Sequence, residues 1–450
     1  MGIIKLLKTA LPYLLITAAV LLFYPTIWIQ NHTFISAGLV LTDLYLFNYP
    51  LKELMHQSLL QGQGIPLWTD LIGNGYPIFA EGQMGALYPL HYILFSLPFK
   101  TIDLFNFNIL AHTIFAGVIT YLYASKSIKL SQKASILSAI VYIFSGYVLT
   151  HLHQVNIILV IMYFPLNLLL VDYSLNSIIK VKKVIKLLLL ISLSLYMQIT
   201  IGHIEMAYYN ILFTGFYLFF KLILDIKASK NINIKLSIFI TSLLIAFGLS
   251  MTQVLSSYEL VSFSQRETGL SYEHTTGTLW PLEKLILFVN PKAFPIYYAD
   301  PTYRPDQTET VNIGALYPYI GIAPLLLSFF ALGMLIKTFR SRQSIYINKA
   351  TLIFATLTLF TYLYAVGRST QLFAVIWGVV PGLKFFRYPV KGIYVIEFSL
   401  AILSAIGLDR LIDLVINKAK RANKSKSNIN TQKSEILNTK NEVAVKRVYS

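Results

Sequence analysis

The sequence predicts an all-α integral membrane protein, a bundle of about ten to twelve transmembrane helices with a large first outer loop containing interfacial helices. Three observations predict it. Of the 450 residues 56% are hydrophobic and only 13% charged, about half the charged share of an ordinary soluble domain. The apolar residues come in blocks long enough to cross a bilayer as helices. The connections between those blocks alternate in character, one set short and basic, the other longer, aromatic and acidic.

The first block, residues 9–30, contains no Asp, Glu, Lys, Arg or His. Lys5 and Lys8 precede it as the basic flank of a signal peptide would. The run is long for such a peptide and no small-residue cleavage site follows, so it reads as a retained anchor. Further spans are expected near 105–125, 134–150, 155–175, 187–202, 205–220, 236–256, 315–336, 350–366 and 390–409.

Charge placement orients them. With the short basic connections ("SKSIKLSQK", "KVKKVIK", "KLILDIKASKNINIK", "KTFRSRQSIYINK") and both termini on the cytoplasmic side, 27 of the 37 Lys and Arg lie inside, and 13 of the 20 Asp and Glu lie outside or at the outer membrane edge. That is the positive-inside pattern of a multi-pass cell-membrane protein. The net charge of +17 is then mostly an orientation signal, and no nucleic-acid partner is expected. Membrane lipids are.

The transmembrane domain is expected over 1–416. Residues 417–450, with nine basic and two acidic residues and no apolar period, are expected to be a disordered cytoplasmic tail, suited to contact with anionic lipids. Two outer segments stand out by length, about 31–104 and 257–314. The first, with "GIPLWTDLIGNGYPIFAEGQMGALYPLHYILFSLPF", suits short amphipathic pieces held at the interface by aromatic anchors. "LYPLHYILFSLPF" reads as an interfacial or re-entrant helix.

The candidate chemical groups gather on the outer side. Asp43, in "LTDLYLFNYP", falls at headgroup level close to the end of the first span. "MQITIGHIEMAYYN" places Gln198, His203 and Glu205 around a turn between two spans, where ionisable groups usually face a cavity or a partner. Arg266, Arg368, Lys384, Arg387 and Lys391 recur beside aromatics and Pro. Guanidinium groups fork onto phosphate oxygens. His151 and His153, two residues apart, do not share a helical face and have no evident third ligand, so zinc is not expected. The chain has no cysteine, which removes thiolate chemistry and disulfides. Neither G-x-G-x-x-G nor G-x-x-x-x-G-K-[ST] occurs, which argues against a soluble nucleotide-sugar donor.

One carboxylate able to deprotonate an acceptor hydroxyl, with several cations able to hold a phosphate leaving group, suits glycosyl transfer from a lipid phosphate. Glu397 is the one carboxylate expected deep in a span, and it keeps a transporter or flippase open as the alternative.

The stretches "TDLYLFNYPL", "GQGIPLWTDLIGNGYPIFAEGQMGALYPLHY", "GHIEMAYY", "FSQRETGLSY" and "LKFFRYPVKGIYVIEFSLAILSAIGLDRL" resemble the bacterial YfhO-like membrane proteins, members of the GT-C class of polytopic glycosyltransferases. The resemblance covers about 40–410. It implies an inverting enzyme that moves a sugar from an undecaprenyl-phosphate (polyprenyl-phosphate) carrier to an acceptor outside the cell, such as the cell-envelope polymer lipoteichoic acid. It implies Asp43 as the catalytic base. From their own convergence on the outer face, Glu205 and His203 would orient the acceptor or share a proton. Arg266, Arg387 and Lys391 would hold the donor phosphate, and Trp68, Tyr76 and Tyr88 would shape the substrate wall. A divalent cation near Asp43 is left open, because Leu44 and Tyr45 follow it where a paired acid would stand.

Overall fold

The computed structural model describes residues 2–29, 43–176, 180–225, 232–277, 280, 282–293, 317–341 and 345–448. Among them there is no strand, only one isolated antiparallel bridge between Thr69 and Tyr76. The principal helices are α1 (Gly2–Phe23), α2 (Tyr49–Leu60), α3 (Pro89–Phe95), α4 (Thr101–Leu122), α5 (Gln132–Ile143), α6 (Gly146–Thr150), α7 (Val155–Ile161) and α8 (Phe164–Asn176). They continue with α9 (Val181–Thr200), α10 (Ile204–Asp225), α11 (Ile232–Leu249), α12 (Met251–Ser262), α13 (Ile322–Ser341), α14 (Ile345–Ala365) and α15 (Ile393–Val448).

Six helical stretches among the described residues are long and apolar enough to span a membrane: Thr101–Ile128, Gln132–Thr150, Val155–Asn176, Val181–Thr200, Ile204–Leu224 and Ile232–Leu249. Thr9–Phe23, Ile322–Ile336 and Lys349–Ala365 are apolar but shorter. The last span expected from the sequence opens α15, whose first eighteen residues carry Glu397, Asp409 and Arg410.

That segment is nevertheless the centre of the bundle. Every residue from Ile393 to Ile406 is buried, and α5, α13 and α14 pack around it. At Gly407 a Cβ would come within 2.1 Å of the Leu327 carbonyl oxygen, so α13 and α15 cross with backbones almost touching, as small residues permit. Ser328 Oγ, one residue on, donates to the Leu400 carbonyl at 2.9 Å. Beyond the bundle α15 continues through Val448, where an unstructured tail was expected. The physical reason is that no Pro or Gly follows Gly407, so a helix already nucleated by packing has no breaker to stop it.

Two expected spans are interrupted. Residues 132–150 break at Phe144–Ser145, and residues 155–176 at Met162–Tyr163. At the first break Gly146 N donates to Tyr319 O at 2.7 Å, and a Cβ on Gly146 would lie 2.1 Å from Tyr317 O. Only glycine lets that segment approach, and the approach satisfies an amide that the broken helix has released. Tyr147 N, the next amide, donates to Glu397 Oε1 at 2.9 Å.

Polar clasps fasten the helices together. Asn167 and Gln198 exchange amide hydrogen bonds at 3.1 and 3.0 Å. Asn210 Nδ2 donates to Gln198 Oε1 at 2.9 Å, and Tyr394 OH to Asn210 Oδ1 at 2.6 Å. Gln198 is therefore a buried interhelical link.

The described part of the first long connecting segment, residues 43–100, folds as a cap on the bundle. It docks through Asn156 Nδ2 to Gln83 O, Tyr196 OH to Leu87 O and Ser257 Oγ to Ala80 O, at 2.7 to 2.9 Å. α3 is a short helix, with Leu90, Tyr92 and Ile93 exposed and His91 and Phe95 buried. Residues 294–316 of the second outer segment lie outside the described residues.

Candidate functional site

Two stretches singled out in the sequence meet at one end of the bundle. "GHIEMAYY" opens α10, and "LKFFRYPVKG" leads into α15. Tyr208 OH donates to Pro381 O at 2.7 Å and Tyr209 OH to Arg387 O at 3.1 Å, so the first helix carries the second stretch on its tyrosines. A third stretch closes on it. Leu270 N donates to Lys384 O at 2.8 Å, and Tyr388 N to Thr275 O at 2.9 Å. That pairing brings the loop holding Arg266 against the residues before Arg387. Tyr388 sits at φ 60, a left-handed conformation uncommon for a bulky residue. It turns the chain so that Arg387 and Lys391, on either side, both reach Glu205.

Glu205 is the hub. Its Oε2 pairs with Lys391 Nζ at 3.0 Å and its Oε1 accepts from Arg387 N at 3.2 Å. Both oxygens are engaged, one by the Lys391 ammonium and one by the Arg387 backbone amide, so Glu205 fixes the position of Lys391 and of the chain at Arg387. The Arg387 guanidinium lies over the Tyr388 ring at 5.2 Å, and Lys391 Nζ at 5.7 Å. Arg387 Nε is buried and finds no hydrogen-bond partner among the described residues. Burial, and then the nearby Arg387 charge, hold Arg266 below the usual arginine range. Arg266 thus lies within electrostatic reach of both Arg387 and Glu205, and Lys391 is ion-paired to that carboxylate, so three basic residues gather at this end of α10.

His203 corrects one expectation. Its Nδ1 accepts from Met206 N at 3.3 Å, capping the first turn of α10. Burial, then the Lys391 charge, lower its pKa to about 3. The ring is neutral at ordinary pH and its role is to cap, which does not fit proton sharing.

Asp43 stands apart from this cluster. It is exposed, and its Oδ2 accepts from Gln154 Nε2 at 2.6 Å. From Gln154 a chain of contacts runs inward. Gln154 N donates to His151 O at 2.7 Å, and the His151 ring stacks on Tyr147 at 3.8 Å and 18°. The Tyr147 hydroxyl in turn lies within electrostatic reach of both Glu205 and Glu397. Residues 30–42, which precede Asp43, lie outside the described residues.

The expected substrate wall does not form as one surface. Trp68 is exposed, donates from Nε1 to Asp70 Oδ1 at 2.9 Å, and lies across Gly75. Tyr76 pairs with Thr69 in the same turn. Tyr88 is fully buried, its hydroxyl 2.7 Å from both His112 Nε2 and Tyr163 OH. Packing and hydrogen bonding have claimed its faces, so Tyr88 belongs to the core.

Sequence reading passed over a second polar group under the outer cap. Lys52, fully buried, donates to Met84 O and lies 3.2 Å from His91 Nδ1. His91 Nε2 lies 3.1 Å from Asn108 Nδ2. Burial pushes Lys52 down to about 7 and His91 well below the usual histidine range. Lys52 and His56, four residues apart on α2, and Asn108 and His112, four apart on α4, were the available signal.

Among the described residues no group of three or more His, Cys, Asp or Glu is arranged to hold a metal ion. Among the described residues, the hydrogen bonds at Asp43 come from the amides of Gln154 and Asn48.

No family model, curated protein or solved structure matches this chain. The chemistry of the site therefore carries the functional reading.

Proposed function

We propose that the protein transfers a sugar from a polyprenyl-phosphate donor to an acceptor on the outer side of the membrane, with a cell-envelope polymer as the acceptor class. The observation that carries this reading is the gathering of Arg266, Arg387 and Lys391 at the mouth of α10. Lys391 is ion-paired with Glu205, the charges of Arg266 and Arg387 lie close enough to act on each other, and the buried Nε of Arg387 finds no hydrogen-bond partner among the described residues. Like charges assembled at the cost of their own desolvation are stabilised by an anion. A phosphate beside the hydrocarbon layer supplies one, and its charge grows as the glycosidic bond to it breaks.

The roles then divide. Arg266 and Arg387 hold the phosphate. Lys391 adds field strength while Glu205 fixes its position. Asp43, exposed and oriented by Gln154, takes the proton of the attacking hydroxyl, and the sugar bond inverts as phosphate leaves from the opposite face. The positive-inside charge pattern supports placing this end outside.

The test is Asp43→Asn in membranes supplied with a labelled polyprenyl-phosphate sugar. Transfer should fall at least a hundredfold while donor binding persists. Full transfer would remove Asp43 as the base.

A further inference from the structure

We propose that Lys52 and His91 form a latch that holds the cap, residues 43–100, against the turn leading into the Glu205 cluster, and that protonation releases it. The loop between Glu81 and Tyr88 lies directly on that turn. A Cβ on Gly202 would come within 2.8 Å of Gln83 O, and one on Gly85 would collide with the Ile201 carbonyl. Ile201 and Gly202 stand just ahead of His203 and Glu205, so the loop bears on the first turn of α10. Lys52 holds the loop from beneath, through Nζ to Met84 O.

The latch has no counter-charge in contact. Lys52 is fully buried. Glu81 acts on it only through space, because both its oxygens are spent on Gln83, one on N at 2.9 Å and one on Nε2 at 2.6 Å. From α4, His112 commits Nδ1 to Asn108 O and Nε2 to Tyr88 OH, each at 2.7 Å. From α2 itself, His56 Nδ1 lies 2.8 Å from Phe95 O. His91 is left facing Lys52, and its neutral ring has one N–H. With Asn108 Nδ2 3.1 Å from Nε2, that proton sits on Nδ1, 3.2 Å from Gly85 O and 3.2 Å from Lys52 Nζ. A neutral amine can accept there. An ammonium cannot, and it would meet an N–H with Met84 O as its acceptor.

Acid therefore strains the docked form and not the released one. Burial already holds Lys52 down at about 7 and His91 well below the usual histidine range. With the cap lifted, water returns both to ordinary values. The lifted form then binds the extra protons, so falling pH shifts the balance toward it. Release frees the turn before Glu205, and its bearing on sugar transfer rests on the function proposed above. The release itself does not.

The experiment follows amide hydrogen exchange by mass spectrometry in the full chain, reconstituted in lipid nanodiscs at pH 8 and pH 5.5, with rates corrected for the intrinsic pH dependence of exchange. Exchange across 79–95 should rise at least tenfold toward pH 5.5, while exchange across α8 changes less than twofold. Lys52→Met combined with His91→Gln should hold the rise below twofold. Lys52→Met alone, which keeps the His91 ring and its contacts, should cut the rise at least threefold. His203→Asn, at the neighbouring buried histidine, should leave it intact. No rise in the unaltered chain, an equal rise in α8, or a rise that survives Lys52→Met and disappears with His203→Asn would overturn the latch. These readouts need no activity, so a chain that shows the rise but transfers no sugar would refute the function and keep the latch.

Discussion

Removing Lys391 tests whether the outer cluster is held by the charge relation described above. The pair Lys391–Glu205 spans 3.0 Å with both side chains largely buried. At an effective dielectric constant of about 20, two unit charges at that separation attract by roughly 5 kcal/mol. Lys391→Met leaves Glu205 with one oxygen on Arg387 N and the other unpaired in a desolvated site, which costs about 3–5 kcal/mol. Glu205→Gln alone leaves Lys391 beside Arg266 and Arg387 with no counter-charge, and should cost a similar amount. The double variant carries neither orphan. Equilibrium unfolding in mixed micelles should therefore show it less destabilised than the sum of the singles by at least about 2 kcal/mol. Two single variants that each cost under about 1 kcal/mol and add would refute the hub.

Three further outcomes follow from the same contacts. Lys52 is buried and its pKa drops from 10.5 to about 7, so the unfolded chain binds the extra proton between those values. Stability should rise with pH across that window by roughly 5 kcal/mol at most, and thermal unfolding of Lys52→Met should lose that slope. His203 runs in the acid direction. The unfolded ring takes a proton near 6.5 and the folded one only near about 3, so stability falls as pH drops below about 6.5, and His203→Asn, which can still cap, should flatten that part of the curve. Gly407→Ala must push α13 from α15, since its Cβ would meet Leu327 O at 2.1 Å; a loss of about 1–3 kcal/mol in unfolding is expected, and an unchanged midpoint would contradict the close crossing.

Apolar block length made the helical class legible, along with the approximate positions of the six helices that are long and apolar enough to span a membrane. The breaks were not legible. Ser145–Gly146 interrupts an apolar run because segment 317–319 and Glu397 supply partners to the released amides, and both partners are remote in sequence. Among the site residues, Glu205, Arg266, Arg387 and Lys391 were findable because ionisable groups at span ends are costly and few. That Glu205 meets Lys391 and the Arg387 amide, and that His203 caps α10, was not, because it depends on which oxygen meets which nitrogen. Trp68, Tyr76 and Tyr88 misled for a related reason. Aromatics between Gly and Pro read as surface, and only packing shows that Tyr88 has spent its hydroxyl on His112 and Tyr163. Lys52 escaped notice because a lone lysine in a polar loop looks solvated until α3 and α4 are seen to cover it.

The most direct test of the central claim uses the purified full chain in proteoliposomes, with a polyprenyl-phosphate donor labelled in its sugar and a cell-envelope polymer as acceptor. Label should become covalently attached to the acceptor, and Asp43→Asn or Arg387→Gln should each abolish the attachment. Label that crosses the bilayer still joined to its carrier, or stays with the donor at every acceptor concentration, would contradict the account.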